Sequence, residues 1–358
     1  MFDPRNKKLA QLLTDYSISL KKNDKVLIEC SDPHGLPLTN EVYKAALLRG
    51  AYPYLLLGTE DLSYFFFKNA NRKQLTAKPE IFDFMTDWLD KYIGIRAAKN
   101  ERALSNIESR RLLVRQKAIR EVMDKVLRKP WVITYYPTQA MAQTARFSLD
   151  ELEDFYFKAC LQDWSKIGSQ LDKLKKIMDN AQKVEVIGKK THLTFSLKGR
   201  LAKVCDGKYN MPDGEVYAAP LDGTMAGEIY FDFPSLRFGK EVKDIYLQFS
   251  KGVVVKSSAS ANSHYLKKAL EIDAGAGRPG EFAFGANFNI KKFMLNTLFD
   301  EKIGGTIHLA LGKAFEEKEG GGKNQSAIHW DLVKDMRKKG SQVIIDGKSV
   351  LKEGKILV

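Results

Sequence analysis

The spacing of apolar positions changes near the middle of the chain. Before it, short continuous apolar runs alternate with stretches of helical period. KVLIEC at 25–30 suits a buried strand, and LTNEVYKAALLRG after it carries apolar residues at helical spacing and stops at Gly50. YPYLLLG and YIGIRA read as further strands, 101–128 as a long helix, WVITYYP as another strand and 149–178 as helix again. Strands and helices alternating through short turns predict an α/β domain with an open, mostly parallel sheet. Beyond it short strands crowd together: VEVIG, HLTFSLKG, EVYAAP, GEIYFDFP, IYLQFSKGVVVKSSAS, EFAFGAN, TIHLALG, SAIHWDLV and VIIDG. Glycines and turn pairs separate them, and SHYLKKALEID is the one clear helix. That texture predicts an α+β, mostly antiparallel domain. The expected division is 1–182 and 183–358.

Composition narrows the class. With 358 residues, 44% hydrophobic and 28% charged, the chain can bury two cores, which excludes wholesale disorder. No apolar run nears the roughly 20 residues of a membrane helix, and the start lacks a secretory pattern. Cys30, Cys160 and Cys205 are widely spaced with no CxxC, so neither a disulfide framework nor a cysteine zinc site follows. A reduced, cytoplasmic protein is expected. The net charge of +14 raises nucleic acid as a partner. The charge is spread evenly over both halves, however, and no RNA-binding motif appears. The densest basic stretch, Arg110, Arg111, Arg115, Lys117 and Arg120, lies in a helical pattern with acids among it and reads as a solvated face. The turn SDPHG after the first strand has no GxGxxG, and no Walker loop occurs, which argues against a dinucleotide enzyme.

Candidate chemistry gathers in the second half. There are five histidines, and in SAIHWDLV His329 and Asp331 stand two apart. On a strand that spacing puts both on one face and Trp330 on the other. An imidazole beside a carboxylate suits a divalent metal, although such a pair also occurs as a plain hydrogen bond. His308, in GGTIHLALG, is flanked by apolar residues and is expected to be buried or in a cleft wall. Glu215 and Glu281 open the strands EVYAAP and EFAFGAN, where burial demands a partner.

These segments, GKYNMPDGEVYAAP, GEFAFGAN, FDEKIGGTIHLALG and GGKNQSAIHWDLVKDMR, resemble the thermophilic-type metalloaminopeptidases, the group of aminopeptidase T, aminopeptidase S and PepS. LTNEVYKAALLRGAYP, PWVITYYPTQAMAQTARFSLDELEDF and LTFSLKGR resemble family segments in the same order, so the likeness covers nearly the whole chain. The resemblance implies an enzyme that removes the N-terminal residue of short peptides using two divalent metals, of which zinc, cobalt, manganese and magnesium are candidates. It implies the ligands Glu215, Glu281, His308, His329 and Asp331, with Glu281 bridging. Glu301 in FDEK matches a further acid near the metals, either a ligand or a proton carrier. It also implies a homodimer and peptides with a free N-terminus as partners, while the even charge and the short apolar runs noted above lead us to expect no nucleic acid or membrane. Two positions depart from the pattern. Phe315 stands where the family has a tyrosine near the reacting centre, which leaves a catalytically impaired, metal- and peptide-binding relative as the alternative. His192 stands where the family often has an acid and is expected at the surface.

Overall fold

KVLIEC is buried along nearly its whole length because strands pair on both of its sides. In this computed structural model, which describes residues 3–237, 240–316 and 318–358, Lys25–Cys30 lies between Tyr52–Leu57 and Lys91–Arg96. Trp131–Tyr135 and then Asn210–Met211 complete a five-stranded sheet in which every neighbouring pair is parallel. Helices Leu36–Leu48 and Ser109–Leu127 make crossovers, as parallel pairing requires. Gly35 admits the first of these helices: a Cβ there would stand 2.8 Å from Cys30 Sγ and 3.1 Å from an Ile95 methyl.

The other strands are antiparallel. Eight of them form a sheet in the order Val253–Ser258, Tyr246–Ser250, Ala226–Tyr230, Thr191–Ser196, Lys183–Gly188, Gln342–Ile345, Lys348–Lys352 and Lys355–Ile356. Five more form a second sheet: His329–Asp335, Thr306–Gly312, Pro279–Gly285, Glu215–Ala218 and Lys203–Cys205. One apolar core joins both, with Val184, Val186, Leu193 and Phe195 from the first and Phe282, Phe284, Ile307, Leu309, Trp330 and Leu332 from the second. The expected α/β and α+β halves are both present.

The chain divides into two compact units, 1–162 with 207–212, and 163–206 with 213–358. This differs from a cut at 182/183 in two places. Helix Trp164–Asp179 belongs to the second unit because Leu171, Leu174 and Met178 are part of that unit's core. Residues 207–212 belong to the first, because Asn210–Met211 pairs with Ile133 and Thr134.

Candidate metal centre

The five-stranded antiparallel sheet separates apolar from polar residues by simple alternation. Along EFAFG, the side chains of Phe282 and Phe284 enter the core while Glu281, Ala283 and Gly285 share the other face. In TIHLALG, Ile307, Leu309 and Leu311 go inward and Thr306, His308 and Ala310 share the polar face. His329 and Asp331 flank the core residue Trp330 as the sequence predicts. Register then brings the strands together. Glu281, Ala310 and Asp331 stand side by side across three strands, Ala283 opposes His308, and Gly285 opposes Glu215. Small residues at 283, 285 and 310 leave room above the sheet for larger neighbours. A bulge at Gly280, where a Cβ would meet Gly312 O at 2.4 Å, shifts the register just before Glu281. Bulges of this kind re-aim a side chain.

Glu281 lies between the two imidazoles. Its Oε1 is 2.9 Å from His308 Nε2 and its Oε2 is 4.0 Å from His329 Nε2. Glu215 Oε2 reaches within 3.5 Å of His308 Nε2, and Asp331 Oδ1 within 3.3 Å of His329 Nε2. Both rings are oriented from behind: His308 Nδ1 donates to Glu301 O at 3.1 Å and His329 Nδ1 to Lys313 O at 2.7 Å. A carbonyl partner on Nδ1 leaves Nε2 as the atom facing the cluster, the arrangement in which histidine binds metals. Glu215, Glu281 and His308 offer ligand atoms within 4.8 Å of one another, as do Glu301, His308 and Asp331. Among the described residues no hydrogen bond reaches Glu215 Oε2, although it is buried. A buried carboxylate oxygen without a donor is costly, and a cation beside it would remove that cost. The donor set of imidazole nitrogens and carboxylate oxygens is therefore one a divalent metal fits.

The electrostatics match crowded like charges. Burial lowers the His308 affinity for protons, but the Glu281 hydrogen bond and the surrounding acids outweigh it and push the pKa up to about 9. Against the same opposition from burial, Asp331 above all raises His329 to about 10. Burial raises Glu301 to about 8, with Lys302 working against it and Asp331 and Glu215 adding to it. Burial would raise Asp331 too, yet His329 beside it holds it well below the usual carboxylate range.

Three residues of the cluster carried no signal in the sequence. Lys302 is fully buried and sits 2.7 Å from Glu215 Oε1 and 2.5 Å from Glu301 Oε1. Its ammonium is held above the ordinary lysine range, because Glu215 and Glu301 overcome the opposing effect of burial. Asp213 and Cys205 offer atoms to Glu215 within the same 4.8 Å limit. Lys302 was flanked by a candidate in FDEK, but adjacency alone does not distinguish a buried lysine from a solvated one. The remaining expectations fall out simply. The Phe315 ring lies 5.3 Å from the His329 ring and 5.6 Å from that of Tyr217, so it does flank the cluster. His192 is exposed and pairs with Glu185 at 2.6 Å.

Comparison with known proteins places the chain among peptidases. Residues 2–355 match the family model described as thermophilic metalloprotease (M29). Aminopeptidase 2 of Geobacillus stearothermophilus is 23% identical over 97% of this chain and 94% of its own. The structure of wild-type AmpT from Thermus thermophilus superposes with a TM-score of 0.88 over the full length of both chains, at 22% identity. A 2,5-dihydroxypyridine dioxygenase from Pseudomonas putida KT2440 shares the fold at a TM-score of 0.63, with 12% identity over 98% of this chain and 96% of its own. The fold by itself therefore does not specify peptide hydrolysis.

Proposed function

Because the chain belongs to the thermophilic metalloprotease family M29, we propose that it is a metal-dependent aminopeptidase that removes the N-terminal residue from short peptides. The observation that carries the reading is the position of Glu281, with one carboxylate oxygen toward each of two imidazoles oriented by backbone carbonyls. This supports two divalent ions, which Glu215, Glu281, His308, His329 and Asp331 would hold. When bound, such ions supply Lewis acidity and a water made nucleophilic near neutral pH. Zinc, cobalt, manganese and magnesium are all candidates.

The chain's own residues do the rest. His308 and His329 present Nε2 and must give up the protons they carry in the metal-free protein. Glu301 has Oε1 engaged by Lys302, so the proton it carries to the departing amine sits on Oε2. Carboxylates around the centre meet the free α-amine of the substrate and so select an exopeptidase outcome. The first unit serves as an accessory domain. A homodimer in the cytoplasm is part of the proposal. It is supported by the edge strand Tyr52–Leu57, which leaves Tyr52, Tyr54, Leu55, Leu56 and Leu57 exposed, and by the burial of Cys30, Cys160 and Cys205. No helix among the described residues is long and apolar enough to cross a membrane.

A second reading rests on Phe315, which brings a ring without a hydroxyl beside His329. In that reading the chain binds metals and peptides but turns over little. One assay separates the two. Chelator-stripped protein is reloaded with each metal and given unblocked dipeptides and their N-acetylated forms. Metal-restored release of amino acid from the unblocked peptides alone is expected. Metal rebinding without cleavage favours the binding protein, with recovery by Phe315→Tyr as its signature.

A further inference from the structure

Lys302 takes no part in bond cleavage as proposed, yet it is 1% exposed in the midst of the acids. Its Nζ stands 2.7 Å from Glu215 Oε1, 2.5 Å from Glu301 Oε1 and 4.0 Å from Asp213 Oδ1. Cys205, Asp213 and Glu215, all buried, offer a thiol and two carboxylates within 4.8 Å of one another. Sulfur with two carboxylate oxygens is a donor set zinc and cobalt accept. An ammonium already reaches both carboxylates of that set, and a divalent ion cannot join it there, since like charges at such distance in a buried setting exclude each other.

The backbone builds this placement deliberately. A Cβ on Gly285 would meet Ile303 O at 2.4 Å and Glu301 O at 2.9 Å, so only glycine lets the 301–303 segment approach. Lys302 O accepts from Asn287 N at 2.9 Å, and Asn287 Nδ2 donates to Asp213 O at 2.9 Å, tying both partners to one residue.

We propose that Lys302 is a resident cation: a positioning residue that fills the Cys205–Asp213–Glu215 end of the cluster in place of a metal ion. It leaves Glu215 only Oε2 to offer the neighbouring metals. The inference rests on the metal-centre reading above. It predicts that the lysine, and not the absence of donors, keeps a further ion out.

Cobalt(II) is the probe, because a thiolate ligand to it gives a charge-transfer band in the near ultraviolet. Stripped wild type, Lys302→Arg, Lys302→Ala and the double variant Lys302→Ala with Cys205→Ser are reloaded, and bound metal per chain is measured alongside the spectrum. Wild type and Lys302→Arg are expected to bind cobalt without the band. Lys302→Ala is expected to bind one more ion per chain and gain the band, and the double variant to lose both. A thiolate band in wild type that Cys205→Ser removes overturns the proposal. So does a folded Lys302→Ala with wild-type stoichiometry and no band. If Lys302→Ala folds only when cobalt is supplied, folding together with the band supports the proposal, and failure of cobalt to restore the fold counts against it. Wild type that binds no cobalt would remove the metal centre itself, whereas a single thiolate-bound cobalt in Lys302→Ala would still support the resident cation.

Discussion

His308 and His329 hold protons well above their ordinary pKa of 6.5, at about 9 and about 10, because acids surround them. A metal must displace those protons, so loading at neutral pH should release about two per chain, and affinity should rise with pH until about 10. Calorimetry in buffers of different ionisation enthalpy measures the release; none at pH 7 would mean that the two imidazoles are already unprotonated in the metal-free protein. The metal-free fold should respond in the opposite sense. A raised folded-state pKa stabilises fully below the unfolded value, and this contribution fades as pH climbs through the folded value. Glu301, raised to about 8, acts in the same direction. Chelated protein should therefore melt at progressively lower temperature between pH 7 and 10. Glu281→Gln removes the carboxylate that faces both imidazoles, and turnover should fall by at least ~10²-fold with weaker metal retention. Near-normal rates would remove Glu281 from the chemistry. His308, His329 and Asp331 stood out as polar residues in apolar strands and Glu215 and Glu281 as acids at strand starts, but it was the family resemblance that implied them as one ligand set. Lys302 did not stand out, since a lysine's burial depends on long-range partners that the local pattern does not encode.

At the scale of elements, alternation predicted the polar face, and register decided which residues meet. Nothing in EVYAAP or EFAFGAN alone says that Glu215 will stand opposite Gly285. Gly285 is the test of this level. Its missing side chain lets the backbone bearing Glu301 and Lys302 close over the sheet, with Ile303 O where a Cβ would be. Gly285→Ala should cost about 1–3 kcal/mol through overpacking and weaken metal binding although it changes no ligand. Denaturant melts with metal titration measure both, and unchanged values for the two would show that the segment can shift freely. The basic helix Ser109–Leu127 illustrates the opposite outcome for a conspicuous pattern. Arg111 donates to the Phe67 and Ala70 carbonyls, and Arg115 to the Ala77 carbonyl, its guanidinium also lying over the Phe66 ring. Part of the charge that suggested a ligand thus ties helices together.

On the scale of the whole molecule, texture separated an α/β from an α+β part, but the boundary fell one helix late. The reason is that Trp164–Asp179 looks like the last helix of an alternating series, whereas its buried residues pack in the second core. Leu171, Leu174 and Met178 are each nearly inaccessible, and burying such side chains contributes roughly 1.5–3 kcal/mol apiece. Fragment 183–358 should consequently be unfolded or molten where 163–358 retains near-ultraviolet dichroism and a cooperative melt. Equal melts for the two fragments would restore the later boundary. The short strand Asn210–Met211 has a different consequence, which concerns how the chain is made. It completes the first unit's sheet from a position between Cys205 and Asp213, far downstream of the strand it pairs with. A ribosome must therefore release over 200 residues before that sheet can close. By then helix 164–179 has already emerged, with its apolar face waiting for a core not yet synthesised. Nascent chains of this protein should pass through a long window of exposure, in which a holding chaperone matters more than it would for two domains laid end to end.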